Sequence, residues 1–250
     1  MADATVPQPE ATTPPLSEGQ RVIDTFIAPS KTFTDIRRSA SWWLPFVIGC
    51  LVTWGLAYAI QSKITWEKAY DNVLKQSPKQ MERMEQAPAD QQAKTRAIAA
   101  NFTKYVFWAA PVVGLIIVVV MAAVLMATIN FGFGGKAKFG QMFALFYYSF
   151  LPISIKAILG IVTIFAGLDP DSFNMNNYVG TNLGYYLPPD FSKPLMALAT
   201  SIDIFAIWML VLLTIGCAII GNIKKGQAAI AVWGWWALLT VFGVVTAMFK

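Results

Sequence analysis

The chain contains no histidine, two cysteines and few charged residues, which make up 13% of its 250 residues. Ordinary soluble domains carry about a quarter charged residues, so a water-soluble globule is not expected. Without histidine, a Ser-His-Asp triad cannot form, and the mixed Cys and His clusters of structural zinc sites are also missing. Cys50 and Cys217 lie in apolar stretches, where cysteine behaves as a small hydrophobic residue. We therefore expect no enzyme, no metal site and no cofactor.

Hydrophobic residues account for 56% of the chain and are gathered into a few long blocks. Each block reaches the roughly 20 residues that cross the hydrocarbon core of a bilayer. Tryptophan and tyrosine near several block ends favour membrane-spanning helices, because these rings prefer the membrane interface. The sequence therefore predicts an all-α bundle of five transmembrane helices. The predicted spans are residues 42–60, 105–129, 142–166, 195–220 and 228–249.

The residues before the first span have a different composition. Residues 1–20 mix proline with Thr, Ala, Glu and Gln and have too little apolar surface to offset chain entropy, which predicts a disordered tail. Residues 21–41 are predicted to form an interfacial amphipathic segment, because Phe33 and Ile36 can face lipid. The residues expected to contact anionic headgroups are Lys31, Arg37 and Arg38. The alternative for this segment is a solvated linker.

Basic residues set the predicted orientation, because short cytoplasmic loops carry an excess of Lys and Arg. The loops 130–141 and 221–227 each carry two lysines and no acid, whereas 167–194 carries three aspartates and one lysine. This pattern predicts a multi-pass cell membrane protein with a cytoplasmic N-terminus and an external C-terminus. Residues 61–104 disagree, because they would lie outside with eight basic residues against five acids. Long loops weigh less in this rule, so we keep the N-inside prediction.

Residues 61–104 are also predicted to form a helical loop outside the membrane. Residues 79–96 are mostly charged, Gln, Met and Ala, which suits a solvated helix. The residues predicted to share one helical face before them are Trp66, Tyr70, Val73 and Leu74. Two interpretations stay open, a solvated hairpin and an arm that binds a partner.

Two ionisable residues, Lys156 and Asp203, fall inside predicted spans at similar depth, so we expect an intramembrane ion pair. Pro152, one turn before Lys156, can bend the third span and make room for it. The pair either fixes the register of two helices or forms a proton- or ion-responsive site of a small transporter or channel. A Ser-Lys hydrolase built on Ser149 or Ser154 is disfavoured, because neither serine lies one helical turn from Lys156.

Several short motifs point to a known family. They are Pro29-Ser30-Lys31-Thr32-Phe33-Thr34-Asp35-Ile36 leading into Ser41-Trp42-Trp43-Leu44-Pro45, then Tyr147-Tyr148-Ser149-Phe150-Leu151-Pro152, the basic turn 221–227, and an aromatic fifth span. Together they resemble the Yip family, the Ypt/Rab-interacting-protein type of five-span membrane domain, and in particular its prokaryotic branch. The resemblance covers about residues 26–249.

The resemblance implies an integral membrane protein that acts as a scaffold or membrane-organising factor, with no catalytic residues. Eukaryotic relatives bind prenylated small GTPases and take part in vesicle traffic or membrane shaping. This chain has Tyr147-Tyr148-Ser149 where they tend to show Gly-Tyr-Gly, and it lacks their acidic Tyr-Gly-Pro segment, which argues against GTPase binding here. The expected partners are membrane lipids and a second copy of the chain or another membrane protein, with no nucleic acid.

Overall fold

The structure, a computed structural model, describes residues 14–76, 78–188 and 191–249. Most of the predicted N-terminal tail, residues 1–13, lies outside this part of the chain. The first helix, α1 (Glu18–Ile27), already begins within the last three residues of the predicted tail. Ser17 caps this helix by accepting a hydrogen bond of 3.2 Å from the Gln20 amide. Such a cap satisfies an amide of the first turn, which explains why the helix begins here.

Five helical segments in the described chain are long and apolar enough to cross a membrane. They are Trp43–Ile64, Ala89–Gly132, Phe139–Phe165, Ile204–Gly221 and Lys225–Ala247. The prediction of an all-α, five-span bundle is confirmed. The described residues contain no β-strand, and the one isolated bridge among them joins Asn182 to Asp203.

After α2 (Pro29–Ile36), the first two spans extend beyond their predicted limits. The first consists of α3 (Trp43–Ala59) and a π-helical turn. Between the spans lie α4 (Trp66–Lys75) and α5 (Pro78–Glu85), and the second span belongs to α6 (Ala89–Ala127). At about 1.5 Å per residue, the 39 residues of α6 measure about 58 Å, roughly twice the hydrocarbon thickness. The first part of α6 therefore projects beyond the membrane.

The third span is divided into α7 (Phe139–Ser149) and α8 (Leu151–Phe165), which meet at Phe150. Pro152 lies in the first turn of α8, where the missing amide hydrogen of proline costs no helical hydrogen bond. The fifth span is α11 (Lys225–Ala247), one uninterrupted α-helix of 23 residues.

The fourth predicted span is interrupted. Two separate helices, α9 (Lys193–Ser201) and α10 (Ile204–Gly221), replace it. Asp203 has an extended backbone, with φ −112° and ψ 133°, and its carboxylate accepts hydrogen bonds from two amides of the first turn of α10. The expectation that Asp203 lies inside a continuous span is therefore wrong, because the residue lies between α9 and α10 and is the N-cap of α10.

Residues 17–38 form a helical hairpin, which we call the N-terminal hairpin. Phe33 and Ile36 are fully buried, because α2 packs against α10 and α7. The expectation that these two side chains face lipid is therefore wrong. Phe26, near the apex, makes an edge contact with Trp208 at 5.6 Å between ring centroids. Trp208 lies 13 residues before Gly221, about 20 Å along α10, so the hairpin reaches far into the bundle.

The two ends of the bundle differ in their connections. We call the end with the turns 130–138 and 221–225 the lysine end, where the Gln141 side chain donates a hydrogen bond to the Arg37 carbonyl. We call residues 167–188 the cap, and the end that carries it the cap end. Asn72 of α4 donates to the carbonyls of two cap residues, at 2.7 and 2.9 Å. The open end of the N-terminal hairpin therefore lies at the lysine end, and α4 lies at the cap end.

Candidate functional sites at two polar clusters

Lys156 and Asp203 are in direct contact where α8 meets the start of α10. Lys156 Nζ lies 2.7 Å from Asp203 Oδ2. The side chain of Asp203 is 6% exposed and that of Lys156 is 18% exposed, so both charges are largely removed from solvent. A charged pair with so little exposure needs further hydrogen bonds to offset its desolvation.

Asp203 receives those further hydrogen bonds. The hydroxyl of Thr181 donates to Oδ2 at 2.6 Å. The amides of Phe205 and Ala206 donate to Oδ1 at 2.9 and 3.2 Å. A carboxylate offers about four lone-pair positions, and with Lys156 it has four donors here. The carboxylate of Asp203 is therefore saturated by groups of the protein itself.

The cap packs directly onto this pair. The ring of Tyr178 lies 5.8 Å from Lys156 Nζ, measured to the ring centroid. A Cβ atom added at Gly160 would lie 2.6 Å from two ring carbons of Tyr178, so only glycine allows the ring to approach α8 here. The backbone carbonyl of Thr181 also accepts a hydrogen bond of 3.0 Å from the Ile204 amide. The pair and its neighbours thus hold the cap against two spans.

Thr181 and Tyr178 were not predicted from the sequence. Both lie in an irregular loop, where no helical or strand period indicates which side chains point inward. The nearest sequence signal is the group of Asn, Tyr, Gly and Thr residues at 176–182, which is typical of a loop that bonds to itself and its neighbours.

A second polar cluster closes the N-terminal hairpin. Arg21 places Nε and Nη2 each 2.7 Å from Asp35 Oδ2, and both side chains are 3% exposed. Arg38 bonds the other carboxylate oxygen of Asp35. Glu18 accepts from Arg21 Nη1 at 3.4 Å. The cluster was missed in the sequence because Arg38 was assigned to lipid headgroups and Glu18 fell within the predicted disordered tail.

The positive charges of this cluster lower the pKa of the Asp35 carboxyl group. Burial alone would raise the pKa of its carboxyl group, but hydrogen bonds and charges from Arg38 and Arg21 outweigh burial and lower that pKa below its ordinary value. The carboxylate form of Asp35 is therefore the form that the folded hairpin stabilises.

The predicted family motif forms the surface on which the hairpin is docked. Tyr148 is fully buried, and its hydroxyl donates to Glu18 Oε2 at 3.0 Å. Tyr147 stacks on Trp42 at 5.5 Å between ring centroids, while its hydroxyl and that of the buried Ser149 have no hydrogen-bond partner among the described residues. Pro152 is also fully buried. The motif is thus structural, joining α7 to the N-terminal hairpin and to α3.

Of the residues predicted to contact headgroups, Arg37 and its neighbour Arg38 lie at the lysine end, whereas Lys31 lies in the first turn of α2, near the apex of the hairpin. All three side chains are exposed, although Arg38 pairs with Asp35. Within the residues that the structure describes, no group of three or more acidic or cysteine side chains is arranged to hold a metal ion.

Five apolar spans, an irregular cap and a docked N-terminal hairpin define a multi-pass integral membrane protein with an all-helical fold. The sequence model of the Yip1 domain matches residues 23–247, which includes most of the hairpin and all five spans. The chain therefore belongs to the Yip1 domain family, and the resemblance to the Yip family inferred from its motifs is confirmed at the level of the family. No curated protein and no solved structure matches the chain.

Proposed function

We propose that this Yip1-domain protein is a non-enzymatic membrane scaffold or membrane-organising factor. The saturated carboxylate of Asp203 carries this proposal. All four donors to it come from the protein, and they connect the cap to the spans. A buried polar group used in this way fixes structure, whereas a proton or ion relay needs a group that can change partners.

The exposed apolar faces of two spans support an assembly function. On α6, Val112, Ile116 and Val120 follow one another at helical spacing and are each more than half exposed. On α11, Leu238 and Phe242 are exposed to the same degree. Such faces contact lipid in a monomer and supply packing surface in an oligomer. The proposed partners are therefore membrane lipids and a second copy of the chain or another membrane protein, rather than a small GTPase.

Crosslinking followed by native mass spectrometry in lipid tests the scaffold proposal. We expect a homo-oligomer or a stable complex with another membrane protein. The substitution Ile116→Trp on the exposed face of α6 should weaken the complex, and Ile98→Trp, an exposed change on the projecting part of α6, serves as the matched control. A chain that stays monomeric and without a protein partner under gentle extraction would contradict the proposal.

We also propose the cell membrane as location, with the lysine end in the cytoplasm and the C-terminus outside. The ion pairs between α4 and the cap support this orientation despite the excess of basic residues in 61–104. Lys68 and Lys75 both bind Asp171 of the cap, at 2.5 and 3.2 Å, so part of that excess is balanced by the acidic cap. Cysteine labelling on a background without Cys50 and Cys217 tests it. Labelling of a cysteine at Lys79 only from the cytoplasm would overturn this orientation.

A small transporter or channel that uses Lys156 and Asp203 is the alternative function. It requires water access to a pair whose carboxylate is already saturated, which is why we place it second. Reconstituted vesicles provide the direct measurement. Ion or solute flux that disappears in Asp203→Asn, with the variant still folded, would favour this alternative over the scaffold.

A further inference from the structure

The two lysine turns of the lysine end are joined by their backbones. The Lys136 amide donates to the Gly221 carbonyl at 3.1 Å. Gly135 makes this approach possible, because an added Cβ would lie 2.5 Å from Ile129 Cγ2 and 3.1 Å from the Gly221 oxygen. The Asn130 side chain holds the first turn through two hydrogen bonds of 2.9 Å to the backbone of Ala137. The two turns therefore form one fixed surface.

A repeated four-residue pattern begins the helix after each turn. Residues 138–141 read Lys-Phe-Gly-Gln and residues 224–227 read Lys-Lys-Gly-Gln. In both, the lysine amide donates to the glutamine side chain three residues later, at 3.1 and 3.0 Å. α7 and α11 thus both begin at the lysine end with matching caps, and each adds the positive end of its helix dipole to that surface.

The charge of this surface is positive. Four exposed lysines belong to it, namely Lys136, Lys138, Lys224 and Lys225. The acids of the adjacent N-terminal hairpin already have partners. Asp35 binds Arg21 and Arg38, and Glu18 binds Arg21 and Tyr148. The buried Asp24 accepts a hydrogen bond of 2.9 Å from the Gln20 side chain. In the part of the chain that the structure describes, the ion pairs of these acids therefore do not involve the four lysines.

An apolar cleft lies along the same helices. It has a volume of about 110 Å³. Residues of α6, α7, α10 and α11 line it, together with Phe150, where α7 and α8 meet. The lining side chains offer carbon and sulfur surface, among them Met121, Leu125, Phe146, Leu213, Trp235 and Leu239. Leu213 lies eight residues before Gly221, about 12 Å along α10, and Val232 lies seven residues after Lys225, about 10 Å along α11.

We propose that this part of the protein is a binding site for an anionic phospholipid. The lysines of the two turns bind the headgroup phosphate, and one acyl chain enters the apolar cleft above them. Opposite charge selects the headgroup, because polybasic surfaces attract anionic lipids. Hydrocarbon fills the cleft, because its walls offer no polar partner to water. The proposal goes beyond the scaffold function and does not depend on it.

Native mass spectrometry of the purified chain with equal amounts of phosphatidylglycerol and phosphatidylcholine, both with the same acyl chains, tests the headgroup half of the site. We expect preferential retention of phosphatidylglycerol. Lys136→Gln/Lys225→Gln should reduce that preference roughly 30-fold, because the contacts of two positive charges with the headgroup are lost. The control Lys79→Gln/Lys94→Gln removes two exposed lysines, one from α5 and one from the projecting part of α6, and should leave the preference unchanged. Equal retention of both lipids, or equal loss in test and control, would overturn the proposal.

A pair of substitutions on α6 tests the cleft. Val124→Phe adds a ring at the cleft wall, whereas Val120→Phe adds the same ring to a lipid-facing position that is 54% exposed. We expect Val124→Phe to reduce phosphatidylglycerol retention and Val120→Phe to retain it. Thermal unfolding of both variants checks that they fold. Normal retention in a folded Val124→Phe variant would show that no acyl chain occupies the cleft. Free inorganic phosphate that competes fully with the lipid would show that the site binds phosphate alone. Either result overturns the proposal.

Discussion

The hydroxyl of Tyr148 donates a hydrogen bond to a carboxylate oxygen of Glu18, a residue 130 positions earlier in the chain. This contact docks the N-terminal hairpin onto the third span. Tyr148→Phe should keep the ring packing and remove the hydrogen bond. We expect a loss of about 1.5 kcal/mol, the lower end for a bond to a charged group, because the Glu18 side chain is 29% exposed. Thermal unfolding in nanodiscs measures it, and Tyr147→Phe, whose hydroxyl has no partner among the described residues, is the matched control.

Removing Arg21 should destabilise the hairpin more strongly. Arg21→Met leaves the 3% exposed carboxylate of Asp35 with Arg38 as its remaining cation. Loss of one partner from a buried pair costs about 3 to 5 kcal/mol, and Arg38 should keep the loss near the lower value. Arg21→Met/Asp35→Asn should recover part of it, because no buried charge remains. Equal unfolding temperatures for wild type and Arg21→Met would contradict this account.

The hairpin should also respond to acid. The folded state lowers the pKa of Asp35, so the stability from this group is present above its unfolded pKa of about 3.9 and is lost as the pH falls through the lower, folded value. A spin label at Ile27→Cys, on a background without native cysteines, should become more mobile below about pH 4. The same label at Ile230→Cys on α11 is the control, and Asp35→Asn should remove the pH-dependent step.

A double-mutant cycle tests the Lys156 and Asp203 pair. Lys156→Met should cost about 3 kcal/mol, because the nearly buried carboxylate of Asp203 loses its cation. Asp203→Asn keeps an oxygen for the amides of α10 and should cost less. The double variant should be more stable than the sum of the two losses predicts, by about 1 kcal/mol or more. Additive losses measured by thermal unfolding in nanodiscs would mean that the two side chains do not interact.

Gly160 should be intolerant of a methyl group. Gly160→Ala places a Cβ 2.6 Å from the ring of Tyr178, and overpacking of this kind costs about 1 to 3 kcal/mol. The cap should loosen as a result, which hydrogen exchange of residues 176–182 would detect. Gly114→Ala is the control, because a Cβ there meets nothing within 4 Å. Unchanged exchange in Gly160→Ala would show that the ring and α8 are not in close contact.

The spans could be predicted because hydropathy alone decides which segments cross a bilayer. Hydropathy averaged over a window hid the break at Asp203, since the segment from Leu195 to Ile220 is mainly apolar on either side of one charged residue. The ion pair was predicted for the correct residues, but by counting depth along a helix that is in fact two helices. Only tertiary contacts, above all the donation from Thr181, determine that the chain bends there.

The N-terminal hairpin shows a different limit. An amphipathic helix that lies on a membrane and one that packs on a bundle have the same pattern, because both bury one apolar face. In the sequence, Phe33 and Ile36 therefore predicted an interfacial helix, whereas in the structure both side chains are buried in the bundle. Arg21 and Asp35 carried the distinguishing information, but only their pairing across 14 residues reveals it.

The docking of the hairpin sets an order of events during synthesis. The hairpin leaves the ribosome before the third span exists, because Glu18 and Tyr148 are 130 residues apart. At 5 to 20 residues per second, roughly 6 to 26 s pass between the two. During that interval Phe33 and Ile36 lack α7 and α10, the helices that cover them in the folded protein. The nascent hairpin therefore emerges with its apolar face uncovered, beside a membrane that can shelter it until the third and fourth spans arrive.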